Sequence, residues 1–358
     1  MLDQRLKIRV NNFVKRLKRE DVCMHGFILS VGGQIKATAY YAPFEEGHPH
    51  RLYSVSKSMT AIAIGILIDE GKLSLDDHIV DYFQDYQPEN PDGRLLRLTI
   101  RDMLRMATCY CSTVYCEEDK NWTKPFFTAT PTHEPGTVFH YDTGCSQVLA
   151  ALVCRLSGME VIDFLNERVF TPIHANDEKY WLRDPSGACQ GGTGLCMSLR
   201  DLHKVTRLIV EGGHGLIPRW FCEEMRKKHI DTRLCTNEEE RYGYGWQVWM
   251  TRAGWAMYGL GGQLAVVCPQ KDVLLCTIAD TRLDILGVQR IYNAFFEEVY
   301  PYIGLEDMSP VELKLSTHPV DFDPGFEIEH AGPYFFGQNP LGLKSVELCG
   351  HELIWENA

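Results

Sequence analysis

The order of local signals along the chain predicts an α+β protein: an antiparallel sheet flanked by N- and C-terminal helices, with a mostly helical lobe inserted into it. Strand-like segments occur near the start and return after about residue 242, a helical middle separates them, and a helix stands at either end of the sheet residues. With 358 residues, 45% hydrophobic and 23% charged, the chain has ample length to bury such a core.

The first twenty residues interleave Arg5, Lys7, Arg9, Lys15, Arg16, Lys18 and Arg19 with Leu2, Leu6, Val10, Phe13, Val14 and Leu17. That spacing fits an amphipathic helix docked by its apolar side, with its basic face to water. Gly26 to Tyr41 reads as a hairpin turning at Gly32-Gly33. Ser54 to Glu70 is apolar on almost every face and closes at Gly71, so it belongs inside a core. Further helices are expected around 99–106, 144–157, 160–169 and 199–211, the last starting from a Ser198 cap with Asp201 three residues on. Four strands follow in GWQVWMT, WAMYGL, LAVVC and DVLLCTIA, and 282–299 is helical. These segments divide residues 1–304 into a sheet lobe, about 1–50 and 242–304, and a helical lobe, about 70–240. Residues 305–358 form an extension whose last stretch reads as a hairpin around Cys349-Gly350-His351.

Lys plus Arg number 36 against Asp plus Glu 48, a net charge of −12, which argues against nucleic acid and anionic membranes as partners. The first residues are too basic for an export signal, and the apolar run from Ala61 to Ile68 is too short to span a bilayer. The 13 cysteines are odd in number and scattered, which fits free thiols in a reducing cytoplasm. Cys109, Cys111 and Cys116, with His133 and His140 beyond, lack the usual paired spacing of a zinc site, and no metal or cofactor is expected. Nothing in the sequence specifies an oligomeric state.

The residues that carry chemistry begin at Ser54-Val55-Ser56-Lys57. A serine hydroxyl needs a base, and a lysine three residues later on a helix lies one turn away on the same face. Such a lysine acts only when burial or neighbouring cations bring its pKa down from about 10.4. The helix N-terminus adds free backbone N–H groups where an oxyanion would form. By itself the four-residue pattern equally describes a capping serine with a surface lysine.

Its setting narrows the reading. The stretch from Arg51 to Asp77 resembles the nucleophile helix of the serine β-lactamase and penicillin-binding-protein superfamily, most closely the class C β-lactamase-like branch with its esterases, D-amino-acid peptidases and 6-aminohexanoate-dimer hydrolases. Leu98 to Leu104, Gly136 to Thr143, Gly191 to Leu202 and Tyr258 to Gln263 resemble later segments of that family in the right order, over roughly residues 20 to 300. The resemblance implies a β-lactamase/transpeptidase-like fold. It also implies Ser54 as the acylated nucleophile, Lys57 as its proton partner and Tyr141 as the proton shuttle. Ser54 and Leu260 would supply backbone N–H groups to an oxyanion hole, and Thr143, Tyr258, Gly259, Gly261 and Gln263 would line the substrate. A tyrosine beside lysine ammonium groups is expected to have its pKa lowered toward the working range. The glycines of Gly191 to Gly194 read as a turn near the cleft, since no Gly-Lys-Ser/Thr follows.

Departures from the family pattern refine the expectation. Thr143 stands where the tyrosine motif often ends in Asn, Met257-Tyr258-Gly259 replaces a strand motif that begins with Lys or His, and Met106-Ala107-Thr108-Cys109 replaces His-Thr-Ser-Gly. These favour an esterase or amidase acting on a small ester, amide or peptide-like substrate over an efficient β-lactamase. A catalytically weak binding or scaffolding member of the same fold is the competing reading. A penicillin-binding protein or D-amino-acid peptidase is a third, set back by the absent export signal. Cys145 and Asp142 are secondary candidates near the cleft, as a thiol and as a contact for a cationic substrate or a helix cap. Specificity is expected from loops at Tyr110 to Phe127 and Tyr180 to Gly187, whose Tyr110, Tyr115, Trp122, Phe126, Phe127, Tyr180 and Trp181 suggest an apolar wall.

Overall fold

The computed structural model describes residues 3–304 and, beyond them, the strands Tyr334–Phe335, Leu343–Cys349 and Glu352–Asn357. Residues 1–316 make one compact unit and 317–358 a second.

The first unit is built on a six-stranded antiparallel sheet in the order Gln34–Tyr40, Met24–Val31, Val273–Ala279, Gln263–Cys268, Gly254–Gly259, Trp249–Thr251. The expected hairpin forms, with Gly26 opposite Tyr40 and Val31 opposite Gln34. Its first strand then pairs with the last strand of the sheet, Leu29 facing Leu275, so segments far apart in sequence close one sheet. Both faces of that sheet are covered, which is why its strands read as continuous apolar runs. Alternation assigns the faces: Leu264, Val266 and Cys268 join one core while Ala265 and Val267 join the other.

One face carries the N-terminal helix Asp3–Arg19 and the helix Gly287–Glu298. Leu6, Val10, Phe13 and Leu17 are buried there against Phe27, Ile291 and Phe295, as the amphipathic spacing requires. Each such side chain contributes roughly 1.5–3 kcal/mol by leaving water. The opposite face packs against the helical lobe. At its centre lies the helix Val55–Asp69, buried from Val55 through Leu67 and packed against the helix Thr143–Ser157. The helix Leu199–Val210 covers the same side, capped by Ser198, whose hydroxyl accepts from the Asp201 N–H. Asp201 does not reach back to complete the box, because its carboxylate accepts from Asp177 N–H and pairs with Lys179 and Lys204.

Two local expectations shift. The segment expected as a strand from Gly245 becomes one only at Trp249, because Gln247 takes a positive φ of 58° and Gly245 N–H turns back to the Val248 carbonyl. The helix expected over 160–169 is α-helical only for Val161–Leu165 and widens into a π-turn over Asn166–Phe170. The second unit holds a three-stranded antiparallel sheet with Leu343–Cys349 in the middle and Val346 opposite Trp355. Among the described residues no helix is long and apolar enough to cross a membrane.

Gly65 marks a close approach within the buried helix: a Cβ there would lie 2.4 Å from the Phe221 ring. Gly65→Ala would gain helix propensity yet must displace that ring, so it should destabilise the protein by about 1–3 kcal/mol. A urea midpoint equal to or above that of the wild type would contradict this packing.

Candidate active site

Ser54 stands at the N-terminal boundary of the helix Val55–Asp69, and its side chain makes no capping hydrogen bond. The hydroxyl is therefore not occupied as a helix cap. Stitching of this helix falls to its neighbours: Ser56 Oγ donates to the Tyr53 carbonyl and accepts from Leu195 N–H, Ser58 Oγ donates to the Gln247 carbonyl, and Thr60 Oγ1 donates to the Gly191 carbonyl.

One turn on, Lys57 retains 1% exposure and its amine meets three oxygens. Nζ lies 3.0 Å from Ser54 Oγ, 3.2 Å from Thr143 Oγ1 and 2.8 Å from the Gly192 carbonyl oxygen. A neutral amine has two N–H donors and one lone pair. The Gly192 carbonyl can only accept, so donation to it and to Thr143 leaves the lone pair facing the serine hydroxyl. Burial drives the Lys57 pKa down to about 7, against the opposing pull of Asp142 and Cys145. The amine is thus enclosed while Ser54 itself is half-buried.

Tyr141 completes the group, with its ring centroid 5.0 Å from Lys57 Nζ. Contrary to the expected lowering, burial raises its pKa, and a hydrogen bond with Ser54 only partly offsets this. The residue keeps 37% of its surface open, so the crowding concerns its phenol end. Tyr141 is a neutral phenol near pH 7, so of the two groups beside Ser54 only the Lys57 amine is brought toward the range where it could accept a proton. Its ring stacks on Trp249 at 5.4 Å, and Tyr244 and Phe139 pack around the same indole.

The end of the strand Gly254–Gly259 approaches the backbone just before Ser54. A Cβ at Gly259 would stand 2.1 Å from the Leu52 carbonyl oxygen, so a glycine is required where the strand meets the start of the nucleophile helix. Leu260 is exposed at that turn, and Gly261 and Gly262 follow with φ of 85° and 97°.

The other residues expected at the substrate also have partners within the fold. Thr143 is a partner of Lys57. Tyr258 is hydrogen-bonded to Glu240, and burial raises its pKa. The Gln263 amide is occupied within the fold, donating to the Leu260 and Ala279 carbonyls and accepting from Ala279 N–H. Gly261 shapes the turn, its carbonyl accepting from Thr281 N–H. Met257 is fully buried. Cys145 lies in the core with its thiol directed to the Met103 carbonyl, and burial raises its pKa well above the ordinary value, so it is not a cleft nucleophile. Asp142 is buried and caps the helix Thr143–Ser157 by accepting from Gly144 N–H. Of the expected wall, Tyr110, Phe126, Phe127 and Trp181 are core residues, whereas Tyr115 stacks on Trp122 close to the start of that helix. Cys109 is buried while Cys111 and Cys116 are exposed, and no group of three or more His, Cys, Asp or Glu among the described residues is arranged to hold a metal.

Three contributors escaped the sequence reading. Gly192 supplies a carbonyl to Lys57, and a Cβ on it would lie 2.7 Å from the Thr143 methyl group. Trp249 backs Tyr141. Gln247 joins three segments, its amide donating to the Met103 and Leu104 carbonyls and accepting from Ser146 Oγ, with its carbonyl taking Ser58 Oγ.

The beta-lactamase family model matches residues 25–282, a span that includes every group of this site. The chain belongs to the beta-lactamase family. It is 27% identical over 227 residues to a 6-aminohexanoate-dimer hydrolase of Paenarthrobacter ureafaciens, covering 58% of this chain and 57% of that relative. The chain thus matches little more than half the length of that curated relative. Solved structures of similar fold include EstCE1, a hydrolase with promiscuous acyltransferase activity (TM-score 0.67, 16% identity, 82% of this chain and 99% of that one). The D-amino acid amidase of Ochrobactrum anthropi SV3 is also similar (TM-score 0.63, 17% identity, 80% of this chain and 98% of that one). For this beta-lactamase family member, the mixed fold and antiparallel sheet expected from sequence agree with those structures.

Since the amine must be neutral to accept a proton, labelling of the protein by a fluorophosphonate probe should rise with pH through about 7 and then level off. A rate independent of pH between about 5 and 9 would remove Lys57 as the base.

Proposed function

We propose that this beta-lactamase family member is a serine hydrolase that cleaves a small ester, amide or peptide-like substrate through an acyl-enzyme on Ser54. The observation that carries the proposal is the buried Lys57 amine 3.0 Å from a serine hydroxyl free of capping duty.

In the first half-reaction Ser54 Oγ attacks the substrate carbonyl carbon while its proton passes to Lys57 Nζ. The new Oγ–C bond leaves a tetrahedral oxyanion, which the backbone N–H groups of Ser54 and Leu260 would receive. The bond from carbon to the leaving oxygen or nitrogen then breaks, and that atom takes the proton from the Lys57 ammonium by way of the Tyr141 hydroxyl. A neutral phenol suits this role, because it accepts one proton as it gives up another. Water repeats the sequence on the acyl ester, returning the acid product and the free serine.

Esterase or amidase activity is favoured over efficient β-lactam hydrolysis. Met257 places a buried thioether where related enzymes carry a cation, and Tyr258 is tied to Glu240. The names of the relatives, a dimer hydrolase and an amidase, support an amide or ester as substrate class. A purely binding role is less well supported, since it gives no reason to bury an amine against the serine. The free thiols of the described residues support a cytoplasmic setting.

Ser54→Ala should abolish both turnover of p-nitrophenyl acyl esters and fluorophosphonate labelling. Undiminished labelling of that variant would overturn the proposal. Lys57→Ala and Tyr141→Phe should each reduce kcat by roughly 10²–10⁴, and the double variant should lose no more than the worse single one, because the groups act as a unit.

A further inference from the structure

Asp142 lies between Tyr141 and Thr143 in the chain, is fully buried, and its Oδ2 has no hydrogen-bond partner. Capping accounts for its other oxygen: Oδ1 accepts from Gly144 N–H at 2.8 Å and from Thr113 Oγ1 at 3.0 Å. Thr113 Oγ1 also accepts from Thr143 N–H at 3.0 Å, and Thr143 Oγ1 in turn meets Lys57 Nζ. A neutral asparagine or serine would cap this helix equally well. A buried carboxylate with one oxygen left over therefore asks for a reason beyond capping.

We propose that Asp142 is a positioning residue of the catalytic site, the fixed counter-charge that stabilises Lys57 as an ammonium while it holds the serine proton. This deepens the serine hydrolase reading and rests on it. During attack the proton leaves Ser54 Oγ for Lys57 Nζ, creating a cation on a side chain that retains 1% exposure. The Asp142 carboxylate is already in place when that cation forms, and no further proton moves.

The surroundings support this assignment. The groups in contact with Lys57 are Ser54, Tyr141, Thr143 and the Gly192 carbonyl, and Asp142 and Cys145 act on its charge from beyond them. Tyr141 and Cys145 are both held neutral by burial, which leaves Asp142 as the charge. Those facing Asp142 include Tyr110 and Tyr115, likewise neutral because burial raises their pKa. Burial moves the Asp142 pKa up to about 6, while the Thr113 and backbone hydrogen bonds and the Lys57 charge favour the carboxylate.

The test compares wild type, Asp142→Asn and Asp142→Ser by the rate of Ser54 labelling with a fluorophosphonate from pH 4.5 to about 9, with thermal unfolding as a check on the cap. Both variants keep a capping oxygen and remove the charge. Loss of the anion lowers the Lys57 pKa, so the half-rise of labelling should move to lower pH by about one unit or more. The plateau should fall, because a less basic amine is a weaker proton acceptor. A half-rise that stays in place or moves upward in a variant with unchanged unfolding would overturn the inference and leave the serine reading intact. Failure of the wild type to label at Ser54 would overturn both.

Discussion

The burial of one amine governs this molecule. Lys57 lies where the helix Val55–Asp69, the helix Thr143–Ser157 and the Gly191–Gly192 turn converge, and water is excluded from its amine. Desolvation penalises the ammonium and so brings the pKa down to about 7, where a lysine can take a proton from serine. The same enclosure sets the demands on everything around it. Two oxygens must accept the amine hydrogens, and the backbone must approach closely enough to leave no room for solvent.

Those demands explain positions that otherwise look incidental. Gly191 and Gly192 are small because Cβ atoms there would meet the Ala150 methyl group at 2.3 Å and the Thr143 methyl group at 2.7 Å. Gln247 adopts a left-handed backbone conformation and ties the Met103–Leu104 segment to the nucleophile helix and to Ser146. Such a residue in a sparsely populated conformation persists because the hydrogen bonds around it over-determine its place. The sheet joins the two ends of the chain: Met24–Val31 pairs with Val273–Ala279 in its interior, and at the far end of the neighbouring hairpin Gly259 lies close against the Leu52 carbonyl.

Tyr141 shows how an environment can divide roles between groups that chemistry alone would treat as rivals. Beside an ammonium its phenol would ionise more readily. Beside an amine that burial keeps near neutrality, the same burial raises the phenol pKa, and the tyrosine keeps its proton. The stacking of its ring on Trp249 holds the hydroxyl at the serine while leaving the outer face open. Thr143 fits the same division, since a hydroxyl is enough to accept from Lys57.

Much of this was legible in the sequence. The apolar spacing of Leu6, Val10, Phe13 and Leu17, the all-round apolar helix after Ser54, and the Gly32-Gly33 turn each follow from short-range periodicity and turn chemistry. The one-turn spacing of Ser54 and Lys57 likewise made their contact a consequence of helix geometry. Tertiary structure alone decided the rest. The Tyr244–Trp249 backing of Tyr141, the Gly192 carbonyl on Lys57, the tie of the Gln263 amide to the Ala279 carbonyl and the burial of Cys145 join residues remote in sequence. Residue type and spacing record which groups can react. Whether a group is charged, occupied or exposed depends on desolvation and on partners brought in from other segments, and those exist only once the chain has packed.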